Sequence, residues 1–220
     1  QTMGQDQKTR PELVRRSCCF EVRAEETESG HIIVGRPIVY ESVTNIGPFD
    51  EIIHRGALDG ADLQDVRFLV NHDLKKIPLA RSRRNTPNST MQLTVDYEGM
   101  GIRVNLDIDN NVDARALYSA VQRGDITGMS FMFGVDDEEW ENLESDHPTR
   151  HVRSISTVVE VSAVTFPAYE STEINARDKS ALDNARSAVE TARRSQKGSV
   201  DTNLELEKEK IRTKILGGVF

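Results

Sequence analysis

Cysteine is nearly missing from this 220-residue chain: it has two, Cys18 and Cys19, and they are neighbours. Adjacent cysteines rarely pair with each other, and no Cys/His spacing resembles a zinc site. Both are read as reduced thiols on an early strand, so neither a disulfide scaffold nor a metal is expected. Long apolar runs are missing too. None approaches the roughly 18–20 residues of a membrane span, and the N-terminal stretch lacks the apolar centre of a signal peptide. No membrane partner is expected, and a cytoplasm-like compartment is. Nor is there an excess of basic charge, since the formal net charge is −8. Residues 1–176 hold 18 Lys+Arg against 29 Asp+Glu, a net of −11, and residues 177–220 hold 10 against 7, a net of +3. Phosphate contacts need clustered Lys and Arg, so an acidic body argues against a nucleic-acid partner. The basic tail reads either as a surface for an acidic partner or as a solvated helix or disordered segment.

What is present is enough for one ordinary domain plus an appendage. The chain is 37% hydrophobic and 29% charged, the balance of a soluble globular protein. About 150 residues can bury a core that needs no covalent staple. Residues 1–16 are polar, without apolar periodicity, and read as a flexible leader. Short β-rich runs follow: Ser17–Ala24 and His31–Tyr40 flank a polar turn, then come Glu51–Ile53 and Asp65–Val70, and Thr90–Tyr97 with Gly101–Asp107 brackets a second turn. In Asn111–Gly124 the period changes. Val112, Ala116, Leu117, Ala120 and Val121 share a helical face, with N-cap candidates at Asp109 to Asn111 and a glycine stop at Gly124. Strands over Gly128–Val135 and Val152–Thr165 enclose the acidic Asp136–His147, read as a loop or a hairpin arm, and Pro167 closes the second strand. The boundary is placed near Asn175. The domains are therefore 1–16, 17–175, and a charged helical or disordered extension over 176–220.

Three residues could carry chemistry. His72 ends the run Val66–Val70 and, if strand alternation persists, shares a face with Val66, Phe68 and Val70. Ser130 is a small hydroxyl within Gly128-Met129-Ser130-Phe131-Met132-Phe133-Gly134, and the glycines would let a substrate backbone approach. Glu160 is a carboxylate amid valines in Val158-Val159-Glu160-Val161. Each has a plain structural reading as well: a histidine closing a strand, a packing serine, an exposed glutamate. Together they supply the parts for acyl transfer. A serine hydroxyl needs an adjacent base, and the base needs a third group to hold its tautomer. No Gly-x-Ser-x-Gly elbow surrounds Ser130, which disfavours an esterase.

These motifs resemble a known family. Val70-Asn71-His72-Asp73, the run Arg123–Phe133 around Ser130, and Glu160–Tyr169 occur in the order found in prohead proteases of tailed phages of the HK97 type. Tyr40-Glu41-Ser42 and Glu51–Leu58 match as well, and the likeness covers roughly residues 17–175. The resemblance implies a mainly β (α+β) fold, the β-barrel of herpesvirus assemblins with surrounding helices. It implies a serine endopeptidase acting inside the phage procapsid in the host cytoplasm. Its substrates would be scaffold, or the scaffolding part of the major capsid protein, and itself, with a weak homo-oligomer allowed. His72 would be the base, Ser130 the nucleophile and Glu160 the third member, with Asp73 as a competing orienter. No cofactor is implied. Herpesvirus enzymes place a histidine third and an arginine pair soon after it, and Val161–Glu170 holds no arginine, so backbone N–H groups or Arg81 are the candidates for the oxyanion hole. The tail would be a self-cleaved extension or a disordered one. The rival reading is a non-catalytic capsid-assembly module on the same fold.

Overall fold

In the computed structural model, residues 13–18, 22–28, 30–165 and 178–191 are described. The strands are β1 (Leu13–Cys18), β2 (Val22–Thr27), β3 (Gly30–Val39), β4 (Val43–Asn45), β5 (Asp50–Ile53) and β6 (Asp65–Val70). They continue as β7 (Ala80–Arg83), β8 (Met91–Asp96), β9 (Gly99–Leu106), β10 (Gly128–Glu141) and β11 (Thr149–Val164). One helix, α1 (Val112–Gln122), precedes β10.

The frame is the antiparallel pair of β10 and β11, rich in β-branched and aromatic residues that suit a pleated surface. Met129, Phe131 and Phe133 on β10 and Val158, Val161 and Ala163 on β11 alternate into the core. The register shifts between Met132 and Phe133, so that Glu160 faces Met132 while Val158 faces Phe133. Such bulges bend a strand and re-aim the residues beside them. The arm continues beyond Val135, and the acidic stretch predicted as loop or arm is arm as far as Glu141. Trp140 packs edge-on against Phe49, with ring centroids 4.9 Å apart.

Strand β11 also pairs in parallel with β5 at its start and with β6 at its end, and β1 pairs antiparallel with β10. These strands, with β4 and β7 at the far edges, make a seven-stranded sheet; a four-stranded sheet runs β2-β3-β9-β8. Among the described residues the pairings close no ring, so the predicted barrel does not appear as a closed hydrogen-bonded circuit. Strands of three and four residues, β4 and β7, offer few ladder groups for bridging to the second sheet. The mainly β, α+β expectation agrees with the elements found.

Helix α1 follows its sequence signals at both ends but not on its face: of the expected stripe only Leu117 and Val121 are buried, and Val112 and Ala116 are exposed. Asn111 caps it by accepting from the backbone N–H groups of Asp113 and Ala114, and Ala114, Leu117, Tyr118 and Val121 form its buried stripe. One boundary moves. Residues 13–16, predicted as leader, belong to β1, where Val14 and Arg16 are buried. Arg15 and Arg16 made that run read as polar, and burial of Arg16 depends on carboxylates distant in sequence. The chain divides into two units, Gln1–Asp178 and Lys179–Phe220. A helix, α2, covers 178–191, in the region expected to be helical. Cys19, Phe166–Arg177 and the second charged segment, Leu204–Leu216, lie outside the described residues.

Candidate active site

Strands β10, β11 and β6 are neighbours, so Ser130, Ser162 and Leu69 stand in one row across the sheet. Directly opposed residues share a face, and Glu160, two positions before Ser162, shares it too. The chain then leaves β6 in an unusual way. Asn71 and His72 both adopt left-handed backbone, with φ of 51° and 57°. Left-handed backbone costs an L-residue roughly 1–2 kcal/mol and collects at functional sites. Asn71 tolerates it and is tied down: its side chain donates to Thr165 Oγ1 at 3.1 Å and accepts from the Thr165 N–H at 2.9 Å. His72 is therefore not the last residue of an alternating strand, as its sequence position suggested. The turn folds its ring back over the face that carries Ser130 and Glu160.

All three residues singled out from sequence come together. His72 Nε2 lies 2.5 Å from Ser130 Oγ, and His72 Nδ1 is in hydrogen-bond contact with Glu160 Oε1. Ser130 and Glu160 are fully buried. A carboxylate at Nδ1 selects the tautomer with its proton there and leaves the Nε2 lone pair facing the hydroxyl. The serine oxygen is also 2.8 Å from the Arg16 carbonyl of β1. Its single proton can go to only one of the two acceptors, Nε2 or the carbonyl.

Ser162 belongs to this cluster although it was not marked from sequence. Its hydroxyl donates to Glu160 Oε2 at 2.6 Å and accepts from the His72 N–H at 3.1 Å. One side chain thus holds both the carboxylate and the strained turn. The available signal was the Glu160-x-Ser162 spacing, which puts two polar side chains on one face of an apolar strand. Asp73 does not compete for the ring; its carboxylate accepts the Lys75 N–H at 3.1 Å. Arg81 is engaged by Asp65, at 2.5 and 2.7 Å, at the opposite end of β6 from His72.

Behind β1 lies a buried charge cluster. Arg16 donates to both oxygens of Glu51, at 2.5 and 2.7 Å, and to Asp178 at 2.9 Å; Arg150 reaches Glu51 at 3.2 Å. Burial opposes ionisation of Glu51, yet Arg16 and Arg150 hold its carboxyl below the usual range. For Asp178 burial wins and its carboxyl is raised despite Arg16. The cluster anchors the strand whose carbonyl touches the serine.

A model of the caudovirus prohead serine proteases matches residues 19–186. The chain belongs to that family. It is a protease of phage capsid maturation. The matched span contains His72, Ser130 and Glu160 and runs past Asn175 into α2. Among solved structures, the protease is similar to the bacteriophage T4 capsid assembly protease gp21, with 13% identity over 72% of this chain and all of that one, and a TM-score of 0.45. No curated protein matches the protease.

Proposed function

We propose that the protease is a serine endopeptidase in which Ser130 is the nucleophile, His72 the general base and Glu160 the group that orients the base. The observation that supports this most directly is the unbroken relay from Glu160 through His72 to Ser130, with Nε2 at 2.5 Å from Oγ. Oγ bonds to the carbonyl carbon of the scissile peptide as its proton passes to His72 Nε2. The C–N bond breaks and the same proton leaves on the departing amine. A water molecule, giving its proton to His72, then attacks the ester and frees Ser130. Glu160 keeps the ring in the useful tautomer and stabilises the imidazolium between these steps.

On this reading the substrates are scaffold or the scaffolding part of the major capsid protein, and the chain's own C-terminal extension, cut within the procapsid in the host cytoplasm. The two sheets, in contact through β3 and β10, would be an open form of the assemblin-like barrel. The test is Ser130→Ala in the full chain, co-expressed with capsid and scaffold proteins. Cleavage of both substrate and self should stop while the circular dichroism spectrum is unchanged, because one hydroxyl contributes little packing. Undiminished cleavage by that variant would remove Ser130 from the mechanism.

A further inference from the structure

An open cavity of about 280 Å³ lies between the segment that follows β6 and helix α1. Leu69, Val70, Ile77, Leu79, Leu117 and Ile126 supply its apolar lining, and Asp73, Lys76 and Asp113 are its charged residues. Two of the lining residues, Val70 and Asp73, flank Asn71-His72 in the chain. Leu69 stands in the row of Ser162 and Ser130, and Ile126 lies just before the strand that carries Ser130. The lining of the groove is therefore next to the base and the nucleophile, along the chain and in the row of the sheet. Pockets for whole small molecules run from about 300 to 1,000 Å³, so this one suits a large side chain or two.

Its mouth is apolar and uncovered. The lining residue Ile77 is 85% exposed; Val112 and Leu74, next in the chain to the lining residues Asp113 and Asp73, are 73% and 57% exposed, and the ion pair of Lys76 with Asp113, at 3.3 Å, joins the segment after β6 to the start of α1. Large apolar side chains left in water on the segments that border a groove mark a surface that takes a partner. Resting on the protease function proposed above, we propose that this groove is a specificity subsite: it takes a leucine, isoleucine, methionine or phenylalanine of the substrate peptide next to the scissile bond. Withdrawing such a side chain from water supplies binding energy that counts in the transition state when it seats the peptide beside Ser130.

The test uses the full-length protein and two probes: a synthetic peptide library randomised around the cleaved bond, and a fluorophosphonate that labels an active serine. The wild type should cleave next to large apolar residues. Ala116→Trp fills the groove from an exposed position on α1, and Ile77→Lys charges its mouth at a side chain already in water, so neither disturbs the core. Each should lower kcat/KM for apolar-bearing peptides by about ten- to a hundredfold while fluorophosphonate labelling of Ser130 stays within twofold. Labelled wild type that cleaves without apolar preference, or labelled variants with unchanged kcat/KM and preference, would overturn the subsite alone. Absence of labelling in the wild type, or cleavage that survives Ser130→Ala, would instead overturn the protease mechanism and the subsite with it.

Discussion

At the scale of single residues, the site depends on polar side chains buried only because each completes another. Glu160 has no exposed surface and is used on both oxygens, by His72 and by Ser162. Glu160→Gln keeps the shape but presents an amide where a carboxylate fixed the tautomer; kcat should fall by about 10⁴-fold, as comparable tautomer errors do elsewhere. Ser162→Ala removes the support rather than the chemistry. A misplacement of the base by about 1 Å costs on the order of a hundredfold, so kcat should drop by up to that factor with KM little changed. The downfield proton resonance of His72 Nδ1 should broaden or shift as well, a change that loss of packing elsewhere would not produce. His72, Ser130 and Glu160 could be singled out as letters in a chain. Ser162 had only its spacing from Glu160 as a signal, and a serine two residues after a glutamate acquires a role only once β11 is known to pair with β6.

Among the elements, β1 is the one whose role exceeds its sequence. Its first four residues, two of them arginines, look like the end of a solvated leader, yet the strand lies along β10 and its carbonyl reaches the serine. Glu51→Gln would leave Arg16 and Arg150 short of a charge in a dry cluster. Breaking a buried pair from one side costs about 3–5 kcal/mol, a loss read as a lower urea midpoint, with the slope conserved. The hairpin of β8 and β9 was legible from its turn, and its start is strict. Gly99 has φ of 143°, and an added Cβ would lie 2.0 Å from the Ile38 carbonyl oxygen. Gly99→Ala should therefore destabilise the second sheet by more than the usual 1 kcal/mol of a point substitution, again measured by denaturant. The ends of helix α1 were readable almost to the residue, since its caps are local, but its buried face was not: Ala114 and Tyr118 are covered where Val112 and Ala116 were expected to be, because which side is covered depends on the strands packed against it. The length of the β10–β11 arm was not, because acidic residues on its outer half look like loop until Glu138 is seen bound to Arg150.

For the molecule as a whole, charge sets the response to acid. Arg36 grips Asp96 with two hydrogen bonds, at 2.7 and 2.8 Å, and with the help of the Glu98 N–H it pulls that carboxyl down to about 2. A depressed carboxyl stabilises the fold above its unfolded pKa of about 3.9 and loses that contribution as pH falls through the folded value. Unfolding midpoints should thus decline between about pH 4 and pH 2, and Asp96→Asn should flatten part of that slope. The acidic body, net −11 over residues 1–176, adds repulsion at neutral pH that salt will screen.

The order of motifs and the spacing of apolar residues were enough, read as sequence, to determine the family, the mainly β character and α1, because these depend on side chains close along the chain or on segments kept in order. The tertiary structure alone decided that β1 joins the sheet, that an abrupt left-handed turn rather than a strand end aims His72, and that Ser162 links His72 to Glu160. Those outcomes depend on pairings between residues far apart in the chain, such as Arg16 with Glu51, 35 positions away, and with Ser130, 114 positions away, whose energy lies in partners brought out of water together and so leaves no mark on either segment read singly.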